Sequence, residues 1–249
     1  MKRVPGHELL ARLGKKRLRP GGVEATNWLL EKGEFSTEKN VLEVACNMGT
    51  TLLEIANKYG CTITGVDMSD EALEKAKRNV KNANLEDKIN LLKADAKSLP
   101  FEDETFDIVI NEAMLTMLSN KDKEKALREY YRVLKKGGVL LTHDINVVGG
   151  VPKVLSILRK VIHVPAVPLK ESDWITLLEK VGFINIKDKT GEMTLMSDEG
   201  MIKDEGEEGM KQIHENASKD SNYEQFYQMK EFFEKYKDKL YYIVFCSRK

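Results

Sequence analysis

Short runs of β-branched and aliphatic residues alternate with amphipathic stretches from Asn40 to Cys246. The apolar runs are typical of strands buried on both faces, and the stretches between them carry apolar residues at helical spacing. This alternation predicts an α/β fold with a mostly parallel sheet and helices on both faces. The predicted strands are 40–45, 61–67, 89–95, 106–112, 139–145, 183–190 and 240–247, and the predicted helices are 50–59, 70–82, 121–134 and 173–181.

Three segments lie outside the alternation: the N-terminal arm to residue 39, 147–172 and 192–238. The second and third follow predicted strands five and six. Because ligands of open α/β sheets bind beyond the carboxyl ends of the parallel strands, we expect both insertions to emerge on the ligand side. Together with the arm, they are expected to form a cap over the substrate, within one domain.

The two insertions differ in character. Segment 151–168 has apolar residues at helical spacing, with basic residues on the remaining face. Its apolar side could pack on the core, line a hydrophobic substrate pocket or touch an anionic membrane surface. Segment 192–222 mixes acidic residues with methionines and glycines, which fits either a solvated face or a mobile flap.

Composition narrows the classes of function. Lys and Arg together number 40, as do Asp and Glu, so no overall charge favours nucleic acid as a partner. No apolar run approaches the roughly 18 residues of a membrane span, and the N-terminus lacks the pattern of a signal peptide. We therefore expect a cytoplasmic protein without stable membrane insertion. The scattered cysteines and histidines give no support for a metal site.

The segment VLEVACNMGTT, 41–51, lies between the first predicted strand and helix. A tight loop there lets backbone N–H groups approach a ligand. The segment resembles the first motif of class I S-adenosylmethionine-dependent methyltransferases, an acidic residue followed by alternating glycines. Glu43 matches the acid and Gly49 the last glycine, whereas Ala45 and Asn47 replace the others. Asn tolerates left-handed backbone, and Ala45 is interpreted as a mild change.

Further stations extend the resemblance over about 40–146. Asp67 ends strand two, where a carboxylate suits ribose hydroxyls, and Asp95 with Ala96 resembles the adenine station. The general look is similar to small-molecule methyltransferases of the quinone-biosynthesis and sterol type. The resemblance implies a Rossmann-like seven-stranded sheet with an antiparallel last strand, S-adenosyl-L-methionine as cofactor and a small-molecule acceptor. It implies cofactor contacts at Glu43, Ala45, Asn47, Gly49, Asp67, Met68, Asp95, Ala96 and Asn111.

Residues at the ends of strands four and five face the methyl group in this architecture. His143 is the candidate base, because imidazole titrates near neutral pH. The alternative is a histidine that is merely hydrogen-bonded at a strand end. Glu112 could hold the methionine amino group, contact substrate or cap a helix, and Asp144 is a further catalytic candidate.

Two other questions stay open. The basic residues Lys15, Lys16, Arg17 and Arg19 could be solvated or could pair with the cofactor carboxylate. The substituted glycine loop keeps a catalytically silent binding module as the alternative function.

Overall fold

Seven strands form one sheet in the computed structural model, which describes residues 4–249. The order is β3-β2-β1-β4-β5-β7-β6, and β1 to β5 run parallel while β7 is antiparallel to both of its neighbours. This confirms the predicted Rossmann-like sheet with its antiparallel last strand. The strands are β1 (Asn40–Val44), β2 (Thr62–Asp67), β3 (Ile89–Lys93), β4 (Phe106–Glu112), β5 (Leu134–Val147), β6 (Ile184–Glu192) and β7 (Leu240–Arg248).

Three of the described α-helices, α4, α5 and α8, begin at a serine whose side chain accepts a free backbone N–H. Ser69 accepts a hydrogen bond from the Ala72 N–H, and Ser119 accepts one from that of Asp122. The helices are α1 (Gly6–Leu13), α2 (Gly22–Lys32), α3 (Thr50–Tyr59), α4 (Asp70–Asn82), α5 (Asn120–Val133), α6 (Pro152–Ile162), α7 (Glu171–Val181), α8 (Asp198–Lys219) and α9 (Tyr223–Lys235). Within the described range, none of them is both long and apolar enough to span a membrane.

Each face of the sheet carries its own hydrophobic core, because successive side chains of a strand point to opposite faces. Leu42 and Val109 pack with α5 and α7 on one face. Val41 and Ile108 pack with α2, α3 and α4 on the other. The long apolar runs of the central strands therefore reflect burial on both sides.

A third hydrophobic cluster lies beyond the carboxyl ends of β4 and β5. It joins α1, α6, α8 and α9, which we call the cap, to Ile145 and Val147 of β5. Both insertions leave the same edge of the sheet, since β6 is antiparallel to β7 and thus parallel to β5. The cap consequently faces the edge where ligands bind in open α/β sheets.

The second insertion is more regular than its polar sequence suggests. Residues 198–219 and 223–235 are helical, and Gly206 interrupts α8 with φ 79° and ψ 168°. One face of α8 buries Met201, Ile213 and Ala217 against the cap. The acidic residues that suggested a loop occupy the other faces of a kinked helix.

Candidate active site

The loop between β1 and α3 keeps the backbone of a glycine-rich turn. Ala45, Asn47 and Gly49 have positive φ angles of 60°, 50° and 81°, so the alternate positions are left-handed. The turn is held by its own backbone, because the N–H groups of Cys46, Asn47 and Gly49 donate to Val66, Asp67 and Cys46. Ala45 is a costlier replacement than the sequence indicated, because an L-residue pays roughly 1–2 kcal/mol there.

Asp67 joins this loop to the end of β2. Its Oδ2 accepts the Asn47 N–H at 2.9 Å and its Oδ1 accepts the Ser69 N–H at 2.9 Å. A carboxylate offers about four acceptor positions, so two hydroxyl groups can still bind. Met68 follows Asp67 in the sequence and is 63% exposed, which leaves an apolar side chain open at this edge.

The third strand adds polar and backbone groups at the same edge. Asp95 Oδ1 accepts the Lys97 N–H at 2.9 Å, while Ala96 is buried against the core. Because β1, β2 and β3 are adjacent and parallel, these residues and Asp67 share one edge of the sheet. The structure thus brings together the stations predicted for the loop, the ribose and the adenine.

Glu112, at the end of β4, is a buried carboxylate with four donors. Arg19 Nε lies 3.2 Å and Thr51 Oγ1 3.0 Å from Oε1. Thr26 Oγ1 lies 2.7 Å and His143 Nδ1 3.1 Å from Oε2. With its acceptor positions occupied, Glu112 does not cap a helix and ties the N-terminal arm and α2 to the sheet.

His143 is fully buried in the same network. Its Nε2 accepts the Gly21 N–H at 3.0 Å, which assigns the proton to Nδ1 and makes Nδ1 the donor to Glu112. Neither ring nitrogen is free in this arrangement. The geometry therefore favours the interpretation of a histidine hydrogen-bonded at a strand end over that of a base.

Glu43 and Glu112 share one guanidinium group. Arg19 Nη2 lies 3.9 Å from Glu43 Oε1. Burial raises the pKa of Glu43 to about 8, despite the opposing charge of Arg19. Burial also acts on Glu112, but Arg19 and the hydrogen bond from His143 outweigh it and lower its pKa to about 2. One carboxyl group therefore keeps its proton while the other is ionised.

The basic arm is neither solvated nor fully free for a ligand. Lys15 Nζ forms a buried ion pair with Asp204 of α8 at 2.8 Å, and Arg17 Nη2 pairs with Glu54 at 2.9 Å. With Arg19 bound to Glu112, three of the four cations meet carboxylates of the protein, while the Lys16 backbone N–H donates to Glu205. The arm is thereby fixed across the carboxyl edge of the sheet.

Three polar atoms of the arm, β1 and β4 are buried near this edge without a hydrogen-bond partner among the described residues. They are Arg17 Nη1, Glu43 Oε2 and Asn111 Oδ1. Asn111 uses its Nδ2 to donate to the Val44 carbonyl at 2.8 Å. The Arg17 donor suits a ligand carboxylate, and the Asn111 acceptor beside the Glu43 carboxyl group suits a ligand ammonium group.

A pocket lies between the cap and the ends of β4 and β5. Ala113, which has a φ of 58°, contributes to its floor beside Asp144. Other polar side chains in the wall are His7 and Thr116. The remaining wall is largely apolar and includes Leu10, Leu18, Ile145, Ile162, Met193 and Phe233.

Asp144 is the buried acid of this pocket. Its Oδ1 accepts the Thr116 N–H at 2.9 Å, whereas Oδ2 has no hydrogen-bond partner among the described residues. Burial raises the pKa of Asp144, although Thr116, His143 and Lys123 oppose the rise. The sequence singled out Asp144, but His7 and Thr116 gave no signal that separated them from residues of ordinary helices.

Comparison with known proteins identifies the family. Residues 41–138 match the model of a family described as a methyltransferase domain. An uncharacterized protein of Haemophilus influenzae is 51% identical over 245 residues, 98% of either chain. Methyltransferase GfsG of Streptomyces halstedii is 32% identical over 206 residues, 78% of this chain and 73% of that protein.

A solved structure shows the same fold. Phosphoethanolamine N-methyltransferase 2 of Haemonchus contortus, in complex with S-adenosyl-L-methionine, superposes with a TM-score of 0.78 at 21% identity. The match covers 98% of this chain and 56% of that one. The chain belongs to the class I S-adenosylmethionine-dependent methyltransferases. It is an enzyme of this class, and S-adenosyl-L-methionine is its cofactor.

Proposed function

We propose that the enzyme methylates a small molecule with a hydrophobic portion, bound between the cap and the ends of β4 and β5. The observation that carries the proposal is the pocket itself, whose apolar wall meets the polar Asp144 at the strand ends. The Haemonchus relative of this fold is named for a small acceptor, phosphoethanolamine, which supports an acceptor of modest size. In this proposal 40–146 holds the cofactor, and the arm to residue 39 with 147–172 and 192–238 covers the acceptor.

The residues at the carboxyl edge fit the cofactor in three parts. Asp67 receives the ribose hydroxyls, and Met68, Asp95 and Ala96 surround the adenine. The loop of Ala45, Asn47 and Gly49 approaches the cofactor through its backbone. In this proposal the unpartnered Arg17 Nη1 donates to the methionine carboxylate, and Asn111 Oδ1 accepts from the methionine ammonium group. Glu43 loses its proton when it accepts from the same ammonium group.

The bound cofactor supplies an electrophilic methyl group, so the protein mainly positions the acceptor and excludes water. The cap and the buried arm exclude water from the carboxyl edge. Glu112 and His143 act as positioning residues, because they hold Arg19 and the backbone of Gly21 in place. Asp144 is the acid that contacts the acceptor.

A methyl-transfer assay tests the proposal. The protein is incubated with methyl-labelled cofactor and a fractionated pool of small metabolites, and label in the metabolite fraction is measured. Met193→Arg, which places a charge in the pocket wall, should abolish transfer while S-adenosylhomocysteine still binds. Ile202→Arg on α8, outside the pocket lining, is the matched control and should keep transfer. Equal transfer by both variants would contradict the location of the acceptor.

A further inference from the structure

We infer that the acceptor presents an amine, held by Asp144 Oδ2 and the imidazole of His7. This inference rests on the proposed function and gives its acceptor a chemical class. It depends on two residues, Asp144 and His7, that can accept hydrogen bonds in the wall of one apolar pocket.

Asp144 carries the first part of the argument. The residue is 2% exposed and lines the pocket, and its buried Oδ2 has no hydrogen-bond partner among the described residues. Lys123, whose charge acts on Asp144, is occupied by the Leu118 carbonyl at 2.7 Å and Asn120 Oδ1 at 3.3 Å. A buried carboxyl oxygen without a donor is costly, and a donor on the ligand removes that cost. A cationic donor also compensates the charge.

His7 carries the second part. It lies in the first turn of α1, lines the same pocket and makes no hydrogen bond with the described residues. The side chain of His7 is exposed, yet the protein around it displaces enough water to lower its pKa, against the opposing charges of Glu8 and Asp67. The ring is therefore neutral at pH 7 and offers one nitrogen as an acceptor.

The two hydrogen-bond acceptors, Asp144 and His7, together discriminate between the head groups that a ligand can present. An ammonium group can donate one N–H to Asp144 and another to His7, and its charge matches the carboxylate. A hydroxyl group has a single donor, and an ionised carboxylate has none. Since the remaining wall is largely apolar, the acceptor that fits is an amine on a hydrophobic body.

Calorimetry with n-octylamine, n-octanol and n-octanoate tests the inference, because these probes share one body and differ in the head group. Titrations are made into the full protein saturated with S-adenosylhomocysteine. Octylamine should bind about tenfold more tightly than octanol, and octanoate should bind least. Asp144→Asn should remove the preference for the amine while S-adenosylhomocysteine binding is kept, which shows that the variant is folded.

The histidine has its own variants. His7→Leu should weaken octylamine binding about fivefold, the effect of one lost hydrogen bond, and His7→Gln should restore most of it, because its side-chain oxygen can accept. His214→Gln on α8, whose ring pairs with Asp198, is the matched control and should have no effect.

The outcomes separate the two claims. If S-adenosylhomocysteine binds, two results would overturn the inference and leave the methyltransferase assignment intact. In the first, octanol or octanoate binds as tightly as octylamine. In the second, octylamine does not bind. Failure of S-adenosylhomocysteine itself to bind would instead contradict the proposed function.

Discussion

Ala45 has the left-handed backbone conformation of the glycine that is usual at this position of the motif. Its φ of 60° lies in the region that glycine occupies freely, and Asn47 and Gly49 repeat that conformation. The loop is therefore specified by its surroundings, including the hydrogen bond from the Asn47 N–H to Asp67. Ala45, Asn47 and Ala113 are three of the eight non-glycine residues with positive φ in the described range, and these three lie at the carboxyl edge of the sheet.

Replacing Ala45 by glycine should stabilise the protein slightly. Relief of the left-handed strain contributes roughly 1–2 kcal/mol, and the greater freedom of glycine in the unfolded chain offsets about 0.4–1 kcal/mol of it. Urea unfolding of Ala45→Gly should give a free energy of unfolding higher by about 0.5 kcal/mol. The control Ala56→Gly, inside α3, should lose more than about 1 kcal/mol, because it also removes a buried methyl group. A loss at position 45 as large as that of the control would show that the alanine is unstrained.

The carboxyl pair around Arg19 predicts a dependence of stability on pH. Folding raises the pKa of Glu43 to about 8, so the folded state holds this proton more tightly than the unfolded chain. The stability that Glu43 contributes is therefore present at low pH and lost as pH rises from about 4.5 to 8. Glu43→Gln removes this titration. The free energy of unfolding of the variant should therefore rise relative to that of the wild type as the pH increases from 5 to 8. A constant difference in urea titrations over that range would exclude a raised pKa.

At the scale of elements, the sequence predicts the alternating core closely and the cap poorly. Helices 50–59 and 70–82 match α3 and α4, because their apolar faces, a C-terminal glycine and a capping serine are local signals. The helices α8 and α9 were missed. In α8, three glycines and many acidic residues hide a face that is buried only by other cap elements. In α9, the buried face also packs within the cap and not on the sheet core.

The contact between α8 and the N-terminal arm carries a prediction of its own. Asp204 pairs with Lys15, and both side chains are at most 1% exposed, while its Oδ1 accepts the Val23 N–H at 2.7 Å. Asp204→Asn leaves a buried cation unpaired, which should cost about 3 kcal/mol in urea unfolding. Hydrogen exchange should also quicken across 15–23.

The matched control for this contact is Glu208→Gln, also on α8. Glu208 pairs with Lys211 at 2.9 Å, but its side chain is 89% exposed. Exposed pairs contribute about 0–1 kcal/mol, so this variant should behave nearly as the wild type. If both variants unfold alike, the ion pair with Lys15 does not fix the arm to the cap.

At the scale of the molecule, the candidate site is formed by segments that are far apart in the sequence. The proposed cofactor residues Asp67 and Asp95 and the loop after β1 lie at strand ends, so their common edge of the sheet was predictable from the sequence, while their roles remain predictions from the family resemblance. The network of Glu112, Arg19 and His143 was not, because nothing local shows that an N-terminal residue crosses the sheet to reach strands β4 and β5. The same reason hid His7, whose place in the pocket depends on how α1 packs.

The measurement that tests the central claim most directly is calorimetric titration of S-adenosylmethionine into the wild type, Asp67→Ala and Asp70→Ala. Asp67 lies at the carboxyl end of β2 beside the loop, whereas Asp70 pairs with Lys93 and is 75% exposed. Asp67→Ala should raise the dissociation constant by about tenfold or more, a loss of roughly 1.4 kcal/mol per decade, and Asp70→Ala should leave it unchanged. Equal affinity in a folded Asp67→Ala would contradict the placement of the cofactor at this edge.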